Sequence, residues 1–286
     1  MIDKKYHVQK YFIDISGHQY CYHYYQSRQI TNQRAIMLLH GAGVAGVDTW
    51  SNIIKRLTQW QYVLVPDLRG MGETHSHSKQ ELGFSVDELV DDLAELVSHL
   101  KWSAFDLAGY SLGGLVSMLF KQRFPNKVLQ QFVLEPGLLD RMKWEDSIAL
   151  RDVYAKTVTQ LRGGSASAGV IDFLNTISPN RKVQPSAEKM AVERLLKRQL
   201  GFANALECVN LAAQHIDREQ LVAAQGSVLS LIGGLSVDSM HQYHQHLAYV
   251  APRWRYVSIA GTDHSLPYQK PRQIAALFNS AELKIS

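Results

Sequence analysis

The chain has 286 residues, a net charge of +4, and 46% apolar against 20% charged residues, the balance of a globular protein long enough for one large domain or a domain with an insertion. The mild charge comes with no dense Lys/Arg block interleaved with aromatics, which argues against a nucleic-acid partner, and no apolar run approaches the ~18 residues that a membrane span needs. The N-terminal "MIDKKYHVQKYFIDIS" lacks the apolar core of a secretory signal, and Cys21 and Cys208, the only two cysteines, lie far apart; free thiols in a reducing, cytoplasmic setting are the expectation.

Two strand-like stretches come first, "VQKYFIDI" (8–15) and "QYCYHYYQ" (19–26), and the "SGHQ" between them predicts an antiparallel hairpin. "AIMLLH" (35–40) is a short apolar run suited to a strand buried on both faces. After the glycine-rich "GAGVAGVD", a helix is expected from about Thr49, with Asp48 as N-cap and Trp50, Ile53, Ile54 and Leu57 on one face. "QYVLVP" (61–66) is the next strand, and "DLRGMGETHSHSKQELGF" reads as a polar connection. Ser85 and Glu88 form a capping box for a helix whose face is Val86, Leu89, Val90, Leu93, Leu96, Val97 and Leu100. A strand and a helix then meet within "DLAGYSLGGL" (106–115), Pro125 ends that helix, and "VLQQFVLEP" (128–136) is another strand.

Strand and helix alternate from residue 35, which predicts a parallel, doubly wound α/β sheet. Residues 138–224 break the alternation with helical segments at 144–162, 168–177, 186–200 and 203–215, punctuated by "RGGSAS", Pro179 and Pro185. The alternation resumes with "SVLSLIGG" (227–234), a helix near 239–250, "RYVSIAG" (255–261) and a last helix from about Pro271. A single sheet domain is therefore expected from 1–137 and 225–286, with 138–224 inserted as a helical cap.

Ser111 stands where the strand ending in Phe105, Leu107 and Ala108 gives way to a helical face of Leu112, Leu115, Val116, Leu119 and Phe120. Gly109 and Gly113 flank it and let strand and helix approach closely. The serine is held on a sharp corner above the positive end of a helix, the G-x-S-x-G nucleophile elbow in both pattern and context.

With the elbow in place, the chain resembles the α/β-hydrolase superfamily with a helical cap. The resemblance rests on four loops in order, each after a predicted strand: "HGAG" (40–43), "DLRGMG" (67–72), "GYSLGG" (109–114) and "GTDHSLP" (261–267). It implies a mostly parallel eight-stranded sheet, Ser111 as nucleophile and His264 as its base, since a serine hydroxyl needs a neighbouring base at neutral pH. The base needs an acid. The usual acid position, after the strand ending at Gly233, falls on Ser236, so the expected acid is Glu135, at the end of an apolar strand where some haloalkane dehalogenases of the superfamily keep it, with Asp238 as the alternative. The oxyanion donors would be the backbone amides of Leu112 and Ala42, with Gly43 adjacent, and His40 would support the loop by hydrogen bonding.

No cofactor and no metal are expected. His75 and His77 in "THSHS" lack a carboxylate and a third histidine at ligand spacing, and "MHQYHQH" (240–246) reads as a surface helix. The expected protein is a serine hydrolase, monomeric or homodimeric, that cleaves an ester, a thioester or a lactone such as an acyl-homoserine lactone of a small acyl substrate. A C–C bond hydrolase, or a non-catalytic small-molecule receptor on the same scaffold, are the alternatives. Dehalogenases and epoxide hydrolases of the superfamily use an Asp nucleophile where this chain has Ser111.

Overall fold

β1 (Tyr6–Ile15) and β2 (His18–Ser27) form the expected hairpin, with Ile15 opposite His18 and the turn made by Ser16 and Gly17 at positive φ. The structure is a computed structural model that describes residues 5–281. β3 (Ala35–Leu39), β4 (Tyr62–Pro66), β5 (His75–Ser76), β6 (Phe105–Tyr110), β7 (Val128–Leu134), β8 (Val228–Gly233) and β9 (Trp254–Ile259) complete one sheet. Its order is β1-β2-β4-β3-β6-β7-β8-β9, with β5 paired to β2. The pairs from β4 to β9 along this order are parallel, and β2 joins β4 antiparallel.

The sheet has nine strands rather than eight. The extra one is β5, a two-residue bridge in which His18 and Gln19 pair with Ser76 and His75. It lies inside the segment read as a polar connection, too short to leave an alternating pattern.

Helices follow in chain order: α1 (Gly46–Ile54), α2 (Val86–His99), α3 (Leu112–Arg123), α4 (Trp144–Arg162), α5 (Ala166–Ile177), α6 (Pro185–Leu196), α7 (Gln199–Ala212), α8 (Arg218–Ala223), α9 (Asp238–Val250), α10 (Leu266–Gln269) and α11 (Pro271–Asn279). The period of two along the strands sorts their side chains between two cores. Met37, Leu39, Leu107 and Val133 pack against α2 and α3 through Leu89, Leu93, Leu115 and Val116. Ile36, Leu38, Ala108 and Phe132 pack on the other face against Trp50 and Ile53 of α1 and Ile274 and Phe278 of α11. The sheet is thus covered on both faces, as a doubly wound fold requires.

The helices between β7 and β8 carry a third apolar cluster, including Leu150, Tyr154, Phe173, Leu195, Phe202 and Leu206, which takes in Val44 from the loop after β3. The boundaries at Arg198 and at Asp48 differ, for physical reasons, from those expected. α6 ends at Leu196 and α7 begins at Gln199, because Arg198 leaves helical geometry (φ −129°, ψ 63°). Its guanidinium instead donates to Glu81 at 2.6 Å and to the carbonyls of Gly72 and Thr74 at 2.8 and 3.0 Å. Asp48 is exposed in the first turn of α1 and does not cap it; the N-cap is Ala45, and the free amide of Gly46 donates to Asp67 at 2.7 Å. The Ser85/Glu88 capping box of α2 is present as expected.

Candidate active site

Ser111 has φ 54° and ψ −116°, a strained conformation between β6 and α3. The surroundings over-determine it. Its amide donates to Leu134 O at 2.9 Å, and its carbonyl accepts from Leu115 at 3.1 Å and Gly137 at 3.0 Å. A Cβ on Gly109 would stand 2.2 Å from Gly113 O, and one on Gly113 would stand 2.5 Å from the carbonyls of Leu39 and His40. The two glycines flanking the elbow are therefore set by close backbone approach, which lets α3 start directly at the end of the central strands.

Glu135 follows β7, also at positive φ (42°), and is 2% exposed. Its Oε2 accepts from His264 Nδ1 at 2.7 Å, and its Oε1 accepts from the Gly233 amide at 2.7 Å and the Ser236 hydroxyl at 2.5 Å. Burial alone would raise the carboxyl's pKa; the hydrogen bond and charge of His264, together with Ser236 and Gly233, outweigh it and hold the pKa below the ordinary value. Asp238, the other candidate acid, is exposed in the first turn of α9, and among the described residues it is not a partner of the His264 ring.

His264 sits in the loop between β9 and α10, buried against Tyr110 with ring centroids 5.1 Å apart. Its amide donates to Ser178 Oγ at 3.3 Å. Asp263, next to it, accepts from the Ser265 amide at 2.8 Å and Gln269 at 3.0 Å, which shapes the loop. With Nδ1 donating to Glu135, Nε2 is the nitrogen left to accept a proton.

Ser111 and His264 border the same two cavities. The larger, of about 330 Å³, runs between the strand ends and α5 and α6, with Phe173, Ile177 and Leu195 among its walls. The smaller, of about 30 Å³, is bordered by Ala42, Leu112, Glu135 and Arg151. Among the described residues, neither the Ala42 amide nor the Leu112 amide has a hydrogen-bond acceptor. Both donors are thus free beside Ser111.

The remaining signature residues serve as scaffold. His40 is fully buried; its Nδ1 donates to Gly41 O at 2.8 Å and its Nε2 accepts from the Leu68 amide at 2.9 Å, joining the loop after β3 to the loop after β4. Burial lowers its pKa, which keeps the ring neutral. In "DLRGMG", Arg69 grips Asp92 of α2 with two bonds, at 2.5 and 2.8 Å. His75 and His77 are exposed on the hairpin side, where His77 meets Asp14 at 2.9 Å. The "MHQYHQH" helix is not wholly a surface helix: His244 is fully buried, bonded to Ser230 Oγ at 2.7 Å and Leu139 O at 3.0 Å. Ser236 is legible in sequence only through its place at the usual acid site, and Tyr110, Ser178 and Arg194 carry no sequence signal that marks them for the site.

The chain matches the family model described as alpha/beta hydrolase fold over residues 34–286. It is 32% identical over 130 residues to a soluble epoxide hydrolase from Corynebacterium sp. (strain C12), covering 44% of each chain. It is 33% identical over 96 residues to a 2-hydroxy-6-oxo-2,4-heptadienoate hydrolase from Pseudomonas putida, covering 32% of this chain and 34% of that one. Each alignment thus spans less than half of the relative. Among solved structures, the enol-lactonase from Burkholderia xenovorans LB400 superposes with a TM-score of 0.72 at 16% identity, covering 94% of this chain and 98% of that one, which is a likeness of fold. Among the described residues, no helix is long and apolar enough to cross a membrane.

Proposed function

Within the alpha/beta hydrolase fold family, to which this chain belongs, we propose that it is a serine hydrolase acting on a carboxylic ester, lactone or thioester. The observation that carries this reading is the 2.7 Å bond from His264 Nδ1 to the buried Glu135, with Ser111 on the same cavity at a strained elbow. In this reading His264 Nε2 takes the Ser111 hydroxyl proton while Oγ bonds to the acyl carbon. The carbonyl electron pair moves onto oxygen, where the Leu112 and Ala42 amides receive it. His264 returns the proton to the departing alcohol, thiol or lactone oxygen, leaving an acyl-serine. A water, deprotonated by the same nitrogen, then releases the acid and regenerates Ser111.

Residues 138–224 act in this reading as a cap whose apolar walls, Phe173, Ile177 and Leu195, receive the acyl chain. A second reading, cleavage of a C–C bond, draws on the stretch shared with the Pseudomonas hydrolase. The test of the first is a fluorophosphonate adduct mapped by mass spectrometry, with 4-nitrophenyl ester turnover compared in the native protein and Ser111→Ala. An adduct on Ser111 and lost turnover support it. Active protein labelled elsewhere, or no labelling and no ester turnover, removes it.

A further inference from the structure

The larger cavity carries cations that its own carboxylates do not neutralise. Arg181, between α5 and α6, pairs with Glu188 and donates to Asn175 Oδ1 at 2.8 Å. Asp263 accepts from two neutral donors, the Ser265 amide and the Gln269 side chain, and among the described residues pairs with neither Arg194 nor Lys182, so the lining sets three cations, Arg181, Lys182 and Arg194, against two carboxylates, Glu188 and Asp263. Arg151, beside Ser111 in the smaller cavity, is matched by Asp140. Among the described residues this leaves Arg194 and Lys182 lining the larger cavity with no carboxylate in ion-pair reach. Arg181 Nε adds a buried N–H without an acceptor in the same wall.

Arg194 is held on a platform that leads back to the reacting groups. Its guanidinium carbon lies 4.5 Å from the centroid of the Tyr268 ring, whose hydroxyl meets Thr49 Oγ1 at 3.1 Å. Tyr268 packs edge-on against Tyr110 at 6.4 Å, and Tyr110 lies 5.1 Å from the His264 ring. Two aromatic rings thus separate the guanidinium from His264. A guanidinium over a ring keeps edge N–H groups for a second, planar partner, and a carboxylate accepts two of them at once. The apolar walls strengthen such a pair by excluding water.

We infer that Arg194, with Arg181 and Lys182 in the same cavity lining, forms an anion subsite, and that the substrate bears a carboxylate several bonds from the carbonyl attacked by Ser111. This rests on the serine-hydrolase reading above. Mono-4-nitrophenyl glutarate and 4-nitrophenyl butyrate share a leaving group and differ in the terminal carboxylate. The native protein is expected to favour the glutarate in kcat/KM. Arg194→Gln is expected to lower the glutarate-to-butyrate ratio about 10- to 100-fold, the loss of a charged hydrogen-bonded pair, mainly through KM, with Arg194→Lys recovering part of it. Equal losses on both esters, or no preference in the native protein, overturn the subsite and leave Arg194 as a packing clamp on Tyr268. If Arg194→Gln does not fold, the salt dependence of the ratio in the native protein decides: it narrows as NaCl screens the pair, and a flat ratio overturns the inference. If neither ester turns over, the hydrolase reading fails separately. Calorimetric titration of glutarate into Ser111→Ala and Ser111→Ala/Arg194→Gln then reads the subsite: binding lost with the second substitution supports it, and absent or equal binding overturns it.

Discussion

Ser236 Oγ donates to Glu135 Oε1 at 2.5 Å while Glu135 Oε2 accepts from His264 Nδ1 at 2.7 Å. The serine therefore stands where the resemblance puts an acid and touches the carboxylate supplied by the neighbouring strand. β7 and β8 are adjacent and parallel, with Leu134 opposite Leu231, so their C-terminal ends open onto the same point below His264. A carboxylate from either end faces the same histidine, and the position that gives it up keeps a donor to hold the other in place.

The first prediction concerns that division of roles. Glu135→Gln is expected to lower kcat on a 4-nitrophenyl ester by up to ~10⁴, because the imidazole loses the partner that fixes its tautomer and stabilises its charge. Asp238→Asn, exposed on α9, is expected to stay within a few-fold of native. Melting curves on both variants separate lost chemistry from lost fold. A dead Asp238→Asn with an active Glu135→Gln would move the acid to the loop after β8.

The central strands, the elbow at Ser111 and the histidine loop at 264 were legible in sequence because each is encoded by neighbours: a period, a glycine spacing, a polar loop after an apolar run. The preference for Glu135 over Asp238 rests in sequence only on position, a carboxylate ending an apolar strand, since which carboxylate meets His264 depends on where the folded strand ends aim it. The same limit explains Asp48: its position suits an N-cap, but Asp67, 19 residues further on, takes the Gly46 amide. His244 looked solvent-facing in a histidine-rich helix, yet it falls on the side of α9 that covers Ser230 of β8.

The second prediction follows from the lowered pKa of Glu135. A carboxyl whose folded pKa lies below its unfolded value contributes stability that is full above the unfolded pKa and is lost as pH falls through the folded one. Ser236→Ala removes one hydrogen bond that favours the ionised form, so the folded pKa rises toward the ordinary value. The acid midpoint of unfolding is expected to move to higher pH in Ser236→Ala. An unchanged acid midpoint would mean that the hydroxyl does not support the carboxylate.

His244 gives a third prediction in a different pH window. Burial pushes its pKa from 6.5 down to about 4, so the folded protein holds it neutral while the unfolded chain protonates first. Stability is therefore expected to fall as pH drops from 6.5 toward about 4, by as much as about 3 kcal/mol from this one group. His244→Gln, which retains a donor and an acceptor for Leu139 O and Ser230, is expected to flatten the loss across that window. Urea midpoints measured at several pH values check it, and parallel curves for the two proteins would assign the slope to other groups.

The last prediction tests how the helical block is seated. Gly201, in the first turn of α7, faces Gly70 so closely that a Cβ on it would stand 1.7 Å from Gly70 O. Backbone cannot yield as a side-chain tip does, so Gly201→Ala forces α7 away from the loop after β4. Arg198, three residues earlier, bonds to the same loop region through Glu81, Gly72 and Thr74, and a displaced α7 strains those bonds too. A loss of about 1–3 kcal/mol is expected, the usual range for forcing extra atoms into a packed joint. Because α6 lines the larger cavity and runs directly into α7, the seating error reaches the substrate site, and KM is expected to rise more than kcat falls. Gly164→Ala is the control: nothing lies within 4 Å of its Cβ position, and its Tm is expected to match or slightly exceed the native value. Equal, small effects of the two substitutions would show that the α7 joint is loose enough to absorb a methyl group, and that the block is not held on the sheet at Gly201.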